Sequence, residues 1–296
     1  MAEKVVLAVD GGSASDAGIA WVIERSKSVP LDVEVTGVLD SGVAPPGSPL
    51  ENRSPIHDAV DRAAARITAG SPGTKVTEII RRGVPAKSLI AASAHADLLV
   101  LGTNKTSRLA RIIHGTLPLR VAGRARCVTV VVPMDWRPRG FGVVVGWEDD
   151  GTADVALEFA AREAERLGME LTIVHAFSMA PALGADEAGA EIVHEELLEA
   201  RRQALVSVAQ KVRADYPGIE VRERFEPRSA SLALVHAAAE AQLLVVGTHG
   251  RGALGGLILG SVSHDVLMNM PAPIGVVPHP DKPISVLPEI LEEELL

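Results

Sequence analysis

The feature that most constrains this 296-residue chain is that it says the same thing twice. The segment VLAVDGGSASDAGIAWVIERSKSVPLDVEVTGVL, ending at Leu39, aligns without a gap on VVVGWEDDGTADVALEFAAREAERLGMELTIVHAF, ending at Phe177. A constant offset of 138 pairs Asp10 with Glu148, Trp21 with Phe159 and Val35 with Ile173. Farther on, DLLVLGTNKTSRLARIIHGT (Asp97 to Thr116) pairs with QLLVVGTHGRGALGGLILGS (Gln242 to Ser261) at an offset of 145. About seven residues are therefore inserted between the two blocks. Pro72-Gly73 and Pro217-Gly218 already share the larger offset, so the insertion precedes them. A unit of about 140 residues is the size of one ordinary domain and far too long for a solenoid repeat. The chain reads as two domains, 1–138 and 139–280, followed by an acidic tail, 281–296, expected to fray or to dock as an amphipathic turn and not to form a site.

Within each copy, strand and helix alternate. In the first, KVVLAV reads as a buried strand, Asp16 to Ser28 as a helix, LDVEVTGVL as a strand, His57 to Ala69 as a helix and KVTEII as a strand. A helix from Pro85 to His95, the strand DLLVLG, a helix from Gly115 and the strand CVTVVV complete it. The order predicts an α/β fold: two tandem five-stranded parallel-sheet domains, doubly wound in a flavodoxin-like layering with right-handed crossovers. Near-continuous apolar strands such as LLVVG fit burial on both faces. In such a sheet the ligand crevice opens beyond the carboxyl ends of the strands, where strand order reverses. The residues following strands one and four of each copy are the place to look for chemistry. Asp40 to Pro55 and Ser178 to Glu191, after the second strand of each copy, read as long surface connectors overhanging that crevice.

Aromatic residues make up 3% of a chain that is 47% hydrophobic and 23% charged, so a globular core must be built from Val, Ile, Leu and Ala. A net charge of -9 argues against nucleic acid or an anionic membrane surface as the main partner. The single cysteine, Cys127, lies in an apolar run and reads as a small buried hydrophobe. No run approaches a membrane span and the start carries no signal-peptide pattern, so a cytoplasmic location is expected.

The sequence from Gly247 to Gly260 holds six glycines in fourteen residues, between a strand and a helix start. Glycines allow torsions and close approaches that a Cβ would block. The helix that follows, beginning Gly260-Ser261-Val262-Ser263, offers unpaired N–H groups and the positive end of its dipole. Such a loop can hold phosphate without a basic side chain. The plainer alternative is a tight turn with Ser261 or Ser263 as helix N-cap. GRGALG (Gly250 to Gly255) matches G-x-G-x-x-G only formally, since it follows the fourth strand and lacks the ribose-binding acid. The P-loop pattern is absent.

The spacing G-x2-G-x9-G-[ST] through Gly247, Gly250, Gly260 and Ser261, with an acid directly after strand one, resembles the universal stress protein family in its tandem two-domain form. The resemblance covers roughly residues 3 to 135 and 140 to 279. It implies a fold of the adenine nucleotide alpha hydrolase type and ATP as the ligand, with Mg2+ as its accompanying metal. By that likeness Asp10 would lie near adenosine and metal, and backbone at Val38 and Leu39, or at Ala176 and Phe177, would meet adenine. Gly247, Gly250, Gly260, Ser261, Val262 and Ser263 would hold ribose and phosphates, with Glu148 at the acid position of copy two. Gly102, Gly115 and Thr116 are the matching loop positions of copy one.

Each copy departs from the pattern. Copy one has Lys105 where the second glycine belongs and Pro118 opposite Ser263, and proline brings neither N–H nor hydroxyl. Copy two carries Glu148 for aspartate, a carboxylate about 1.5 Å farther out where recognition tolerates about 0.5 Å. Copy two is therefore the expected ATP site, with at most one strong site per chain. His175, aligned with Gly37, reads as a satisfied histidine beside the crevice. No zinc-type histidine spacing, no G-x-S-x-G elbow and no base for Cys127 are present, so catalysis is not expected.

The last strands, Cys127 to Pro133 and Ala272 to Pro278, would leave apolar edges unless they pair with each other across a pseudo-twofold axis. Tandem fusion makes that pairing intramolecular, a pseudo-dimer within one chain. A homodimer of whole chains is left open by the sequence. The expected function is nucleotide-responsive signalling in stress or dormancy through an unidentified protein partner. The alternative is a nucleotide-free family member acting as a scaffold for protein partners.

Overall fold

The computed structural model describes residues 2–40, 55–104, 117–138, 140–149, 151, 153–177, 187–248 and 259–279, with backbone alone at 187–194. Copy one runs β1 (Glu3–Ala8), α1 (Ser13–Ser26), β2 (Leu31–Leu39), α2 (Pro55–Gly70), β3 (Lys75–Arg82) and α3 (Pro85–Ala92). A short 3₁₀ turn (Ser93–His95), β4 (Leu98–Thr103), α4 (Leu117–Ala122) and β5 (Val128–Pro133) complete it. Copy two repeats the order with β6 (Val143–Gly146), α5 (Asp154–Leu167), β7 (Leu171–Ala176), α6 (Glu187–Asp215) and β8 (Val221–Glu226). It ends with α7 (Ala230–Ala237), β9 (Leu243–Gly247), α8 (Ser261–Met268) and β10 (Ile274–Val277).

The ten strands form one sheet in the order β3-β2-β1-β4-β5-β10-β9-β6-β7-β8. Within each copy all pairs are parallel. The copies join where β5 meets β10 antiparallel, with Ile274 opposite Val131 and Val276 opposite Thr129. The expected pairing of last strands is thus realised, and the most apolar strand edges are removed from solvent. The free edges are β3 and β8, which are charged: Lys75 pairs with Asp32, Arg81 with Glu34, and Arg222 with Glu170 and Glu220. Such charges make a poor template for further strand addition.

The core follows from the repeat. On one face, α1 and α5 lie over the central strands, and Trp21, Phe159, Trp136 and Trp147 join Leu7, Val100, Val145 and Val245 in one buried cluster spanning both copies. The other face holds two smaller clusters, one under α7 and α8 around Leu244 and Ile274, one under α3 and α4 around Leu89 and Leu99.

Two boundaries near the crevices differ from expectation. Helix α1 starts at Ser13, because the turn at Asp10 to Gly12 closes sooner than the apolar period shows. The connector expected to reach Glu191 ends earlier, since α6 already begins at Glu187, where alanine and glutamate favour helix. The element that follows the second strand differs in length between the copies: α2 has 16 residues and α6 has 29, a difference larger than the insertion of about seven residues. Both helices nevertheless end at matching positions, Gly70 and Asp215, under the larger offset. Residues 41–54, 105–116, 178–186, 249–258 and 280–296 lie outside the described residues, and with them Lys105, Gly115, Thr116, Gly250, most of both connectors and the acidic tail.

Candidate functional site

Strand order reverses between β1 and β4 in copy one and between β6 and β9 in copy two. Beyond the carboxyl ends of those pairs lie the two crevices where a doubly wound sheet binds its ligands. In copy one, Asp10 follows β1, Val38 and Leu39 end β2, and Gly102 ends β4. In copy two, Glu148, Ala176, Phe177 and Gly247 occupy the same places, with Gly260 to Ser263 at the start of α8.

Asp10 is exposed and held by its own turn. Its Oδ1 accepts from the Gly12 N–H at 2.9 Å and from the Ser15 hydroxyl at 2.7 Å, while the Asp10 N–H donates to Ser15 Oγ at 3.0 Å. The second oxygen, Oδ2, has no hydrogen-bond partner among the described residues. No group of three or more His, Cys, Asp or Glu side chains suited to a metal occurs among the described residues. A Mg2+ at Asp10 would take one protein carboxylate and otherwise phosphate and water oxygens, a donor set that this ion accepts. Asp10 therefore fits the metal role as a single ligand. Gly102 is packed against the first turn of α1: a Cβ there would stand 1.9 Å from the Ala14 carbonyl oxygen. The Leu39 carbonyl already accepts from the Gly83 N–H at 3.0 Å.

In copy two the ends of the glycine loop are clamped together. The Gly260 N–H donates to the Thr248 carbonyl at 2.8 Å, the Thr248 N–H to Val277 at 3.0 Å, and the Ser263 hydroxyl to the Gly247 carbonyl. Gly260 is the N-cap of α8 and no side chain among the described residues caps the helix, so neither Ser261 nor Ser263 plays the capping part that a plain turn would give them. The N–H groups of Ser261, Val262 and Ser263 have no partner among the described residues, as a helix start dictates. Ser261 is exposed and Ser263 buried. The Ser263 proton is committed to Gly247, so what this residue offers a ligand is its backbone N–H. Removing that clamp with Ser263→Ala is expected to cost about 1 kcal/mol of stability, the worth of one hydrogen bond, read by urea denaturation.

The acid of copy two has a partner its counterpart lacks. Arg201, from α6, reaches Glu148 Oε1 at 3.4 Å and lies over the Phe177 ring at 4.6 Å from its centroid. Beneath them His175 is fully buried, with Nδ1 at 3.0 Å from the Trp147 carbonyl and its ring 5.7 Å from those of Trp147 and Phe225. A carbonyl only accepts, so Nδ1 carries the proton. Nε2 has no partner among the described residues, so there the histidine is half satisfied where full satisfaction was expected. Glu148 stands 3.9 Å from Nδ1, too far for a hydrogen bond.

Sequence reasoning missed Arg201, although the signal was in the offsets. They align His175 with Gly37 and Arg201 with Ile56. In copy one these two are in contact: a Cβ on Gly37 would come within 2.4 Å of Ile56 Cγ2. Where copy one has Gly37 and Ile56, copy two has His175 and Arg201. The first crevice has an apolar roof at this point and the second a cationic one. Cys127 is buried as expected, and burial, with the charge of Asp97, pushes its thiol up to about 12, far from a reactive thiolate.

No helix among the described residues is long and apolar enough to cross a membrane. The model of the universal stress protein family matches residues 1–133 and again 142–278. A universal stress protein of Mycobacterium tuberculosis H37Rv is 29% identical over 288 residues, covering 91% of this chain and 95% of its own. One of Mycolicibacterium smegmatis is 27% identical over 289 residues, covering 92% and 96%. Among solved structures, a universal stress protein from Archaeoglobus fulgidus DSM 4304 superposes with a TM-score of 0.67 at 22% identity, over 93% of this chain and 98% of that one. The duplicated strand order, the paired last strands and two successive family matches agree, and the chain belongs to the universal stress protein family as a tandem of two such domains.

Proposed function

We infer that the chain binds ATP in its second copy and uses the occupied state as a signal, read by a protein partner, in a stress or dormancy response. The observation that carries this reading is the start of α8, where the N–H groups of Ser261, Val262 and Ser263 have no partner among the described residues, beside Gly247 and Gly260, at a strand-order reversal. A helix start of this kind binds phosphate through backbone donors and the helix dipole. Arg201 adds positive charge where Glu148 would otherwise repel a polyphosphate. Phe177, already faced by that guanidinium, offers an aromatic surface beside the strand end where the adenine would sit.

Mg2+, when bound with the nucleotide, would neutralise phosphate charge; Asp10 is the residue suited to it in copy one. In copy two Arg201 holds the acid that would otherwise face the metal, so ATP binding there should persist in EDTA. The one acid and base near each other at the copy-two crevice among the described residues, Glu148 and His175, are 3.9 Å apart and not hydrogen-bonded, and turnover has no part in this reading. The site is cytoplasmic in this proposal, where ATP is abundant.

The test is direct. Purified protein is denatured and the supernatant assayed for adenine nucleotide, and melting is followed with added ATP. About 2.7 kcal/mol of stabilisation at a ligand concentration about 100 times Kd should raise the melting temperature by several degrees. Ser261→Glu, which places a carboxylate at the phosphate position, should abolish both released nucleotide and shift. Absence of any ATP effect at millimolar concentration in the wild type would favour the second reading, a nucleotide-free scaffold. That reading draws on Pro118 in copy one and on Arg201 filling part of the copy-two crevice.

A further inference from the structure

Arg25 and Glu163 are 138 positions apart, so each is the other's counterpart in the repeat. They meet on the pseudo-twofold axis. Arg25 Nη1 and Nη2 donate to Glu163 Oε2 and Oε1, both at 2.8 Å, as a two-pronged pair with side chains only 3% and 5% exposed. Ser28 and Arg166 are also counterparts 138 apart, and Arg166 donates to the Ser28 hydroxyl. Within its own copy Arg25 is also bonded to Glu3, and Glu163 to Arg166. The axis that relates the two copies is therefore occupied by opposite charges at equivalent positions, buried under the α1 and α5 face of the shared core.

A true twofold axis puts a residue against itself. If copy one paired with copy one of a second chain, two Arg25 guanidiniums would face each other in a site that excludes water. If copy two did so, two Glu163 carboxylates would. Glu3 and Arg166 would soften each clash without removing it, because the two-pronged bonds across the axis would be lost in both cases. We propose that the Arg25–Glu163 pair makes this face a self-excluding interface, whose fitting partner is the opposite copy and not a second copy of the same half. The pairing strands cannot impose this choice, since β5 and β10 are alike and apolar, VTVVVP against IGVV. Two halves tethered in one chain and free to pair like with like would link chains end to end into open polymers; a charge pair that penalises both like pairings confines the chain to itself.

The full chain tests this. In a Cys127→Ala background, Ser28→Cys places one exposed thiol beside the axis, where like pairing of copy one would bring two such thiols together. A short flexible bis-maleimide then reports that pairing as a covalent dimer of chains on a denaturing gel. With Arg25 and Glu163 intact, dimer should stay at background at all protein concentrations. With Arg25→Gln/Glu163→Gln, dimer should rise about tenfold or more and increase with concentration, a factor that a preference of about 1.4 kcal/mol makes. Arg25→Met/Glu163→Leu, uncharged and of similar bulk, should do the same and keeps the test valid if the glutamine pair folds poorly. Equal cross-linking with and without the charges, whether high in both or absent in both, overturns the proposal.

Discussion

Replacing Glu163 with alanine is expected to destabilise the chain by about 3 kcal/mol at neutral pH, the lower end of what breaking a buried ion pair costs. The loss is that large because Arg25 cannot follow water out: its side chain is 3% exposed, lies 5.4 Å over the Trp21 ring and would retain only Glu3 as an anionic partner. Arg25→Ala should cost as much, since Glu163 would keep only Arg166. Arg25→Met/Glu163→Leu should recover most of the loss, because no charge is then left buried alone. Urea denaturation of the four proteins closes the double-mutant cycle, and additive single losses would show that the two residues do not act as a pair.

The same pair fixes an acid response. Burial by itself would raise the Glu163 carboxyl, but the hydrogen bonds and charge of Arg25, joined by Arg166, outweigh it and hold the group down at about 2, against 4.5 for a free glutamate. A depressed folded-state value means the contribution is complete above about pH 4.5 and is lost as pH falls toward 2. It amounts to roughly 3 kcal/mol across that window. Glu163→Gln should therefore start from lower stability at pH 7 and fall less steeply between pH 4.5 and 2, as measured by denaturation at each pH.

Gly102→Ala is expected to cost 3 kcal/mol or more, at the upper end of overpacking. The added Cβ would stand 1.9 Å from the Ala14 carbonyl oxygen, 2.3 Å from its carbon and 3.0 Å from the Ser15 nitrogen. These are backbone atoms, so no rotamer change relieves the overlap and the first turn of α1 must move. That turn holds Asp10 through Ser15 and Gly12, so the substitution should displace the acid of copy one as well. Gly73→Ala is the control: nothing lies within 4 Å of its added Cβ, and its stability should change by less than about 0.5 kcal/mol. If both substitutions unfold at the same urea concentration, the close approach of β4 to α1 is not what glycine serves at 102.

Gly102 also shows how partial a motif reading is. Its place in the repeat suggests a ligand loop, and a sequence carries no mark that a helix backbone will press against it from ninety residues away. Arg201 was hidden for the same reason. It lies on the long helix α6, remote in sequence from Glu148 and Phe177, and only the return of α6 over β7 brings the three together. The place of His175 beside the crevice was legible from its strand position, while its full burial and an Nε2 without a partner among the described residues were not, because both depend on what packs around the ring.

The sequence by itself determined the duplication, the alternation of strand and helix, the crevice ends at Asp10, Glu148 and Gly247, and the pairing of the last strands. Each of these follows from local pattern: apolar runs, periodicity, and the need of an apolar edge for a partner. Only the tertiary structure decided that positions 25 and 163 meet, that Arg201 pairs with the acid of copy two, and that Gly260, not a serine, stands at the N-cap of α8. Those are contacts between residues far apart in the chain. Charge complementarity and close approach depend on distance in space, which the repeat implies in outline and the packed sheet fixes to the ångström.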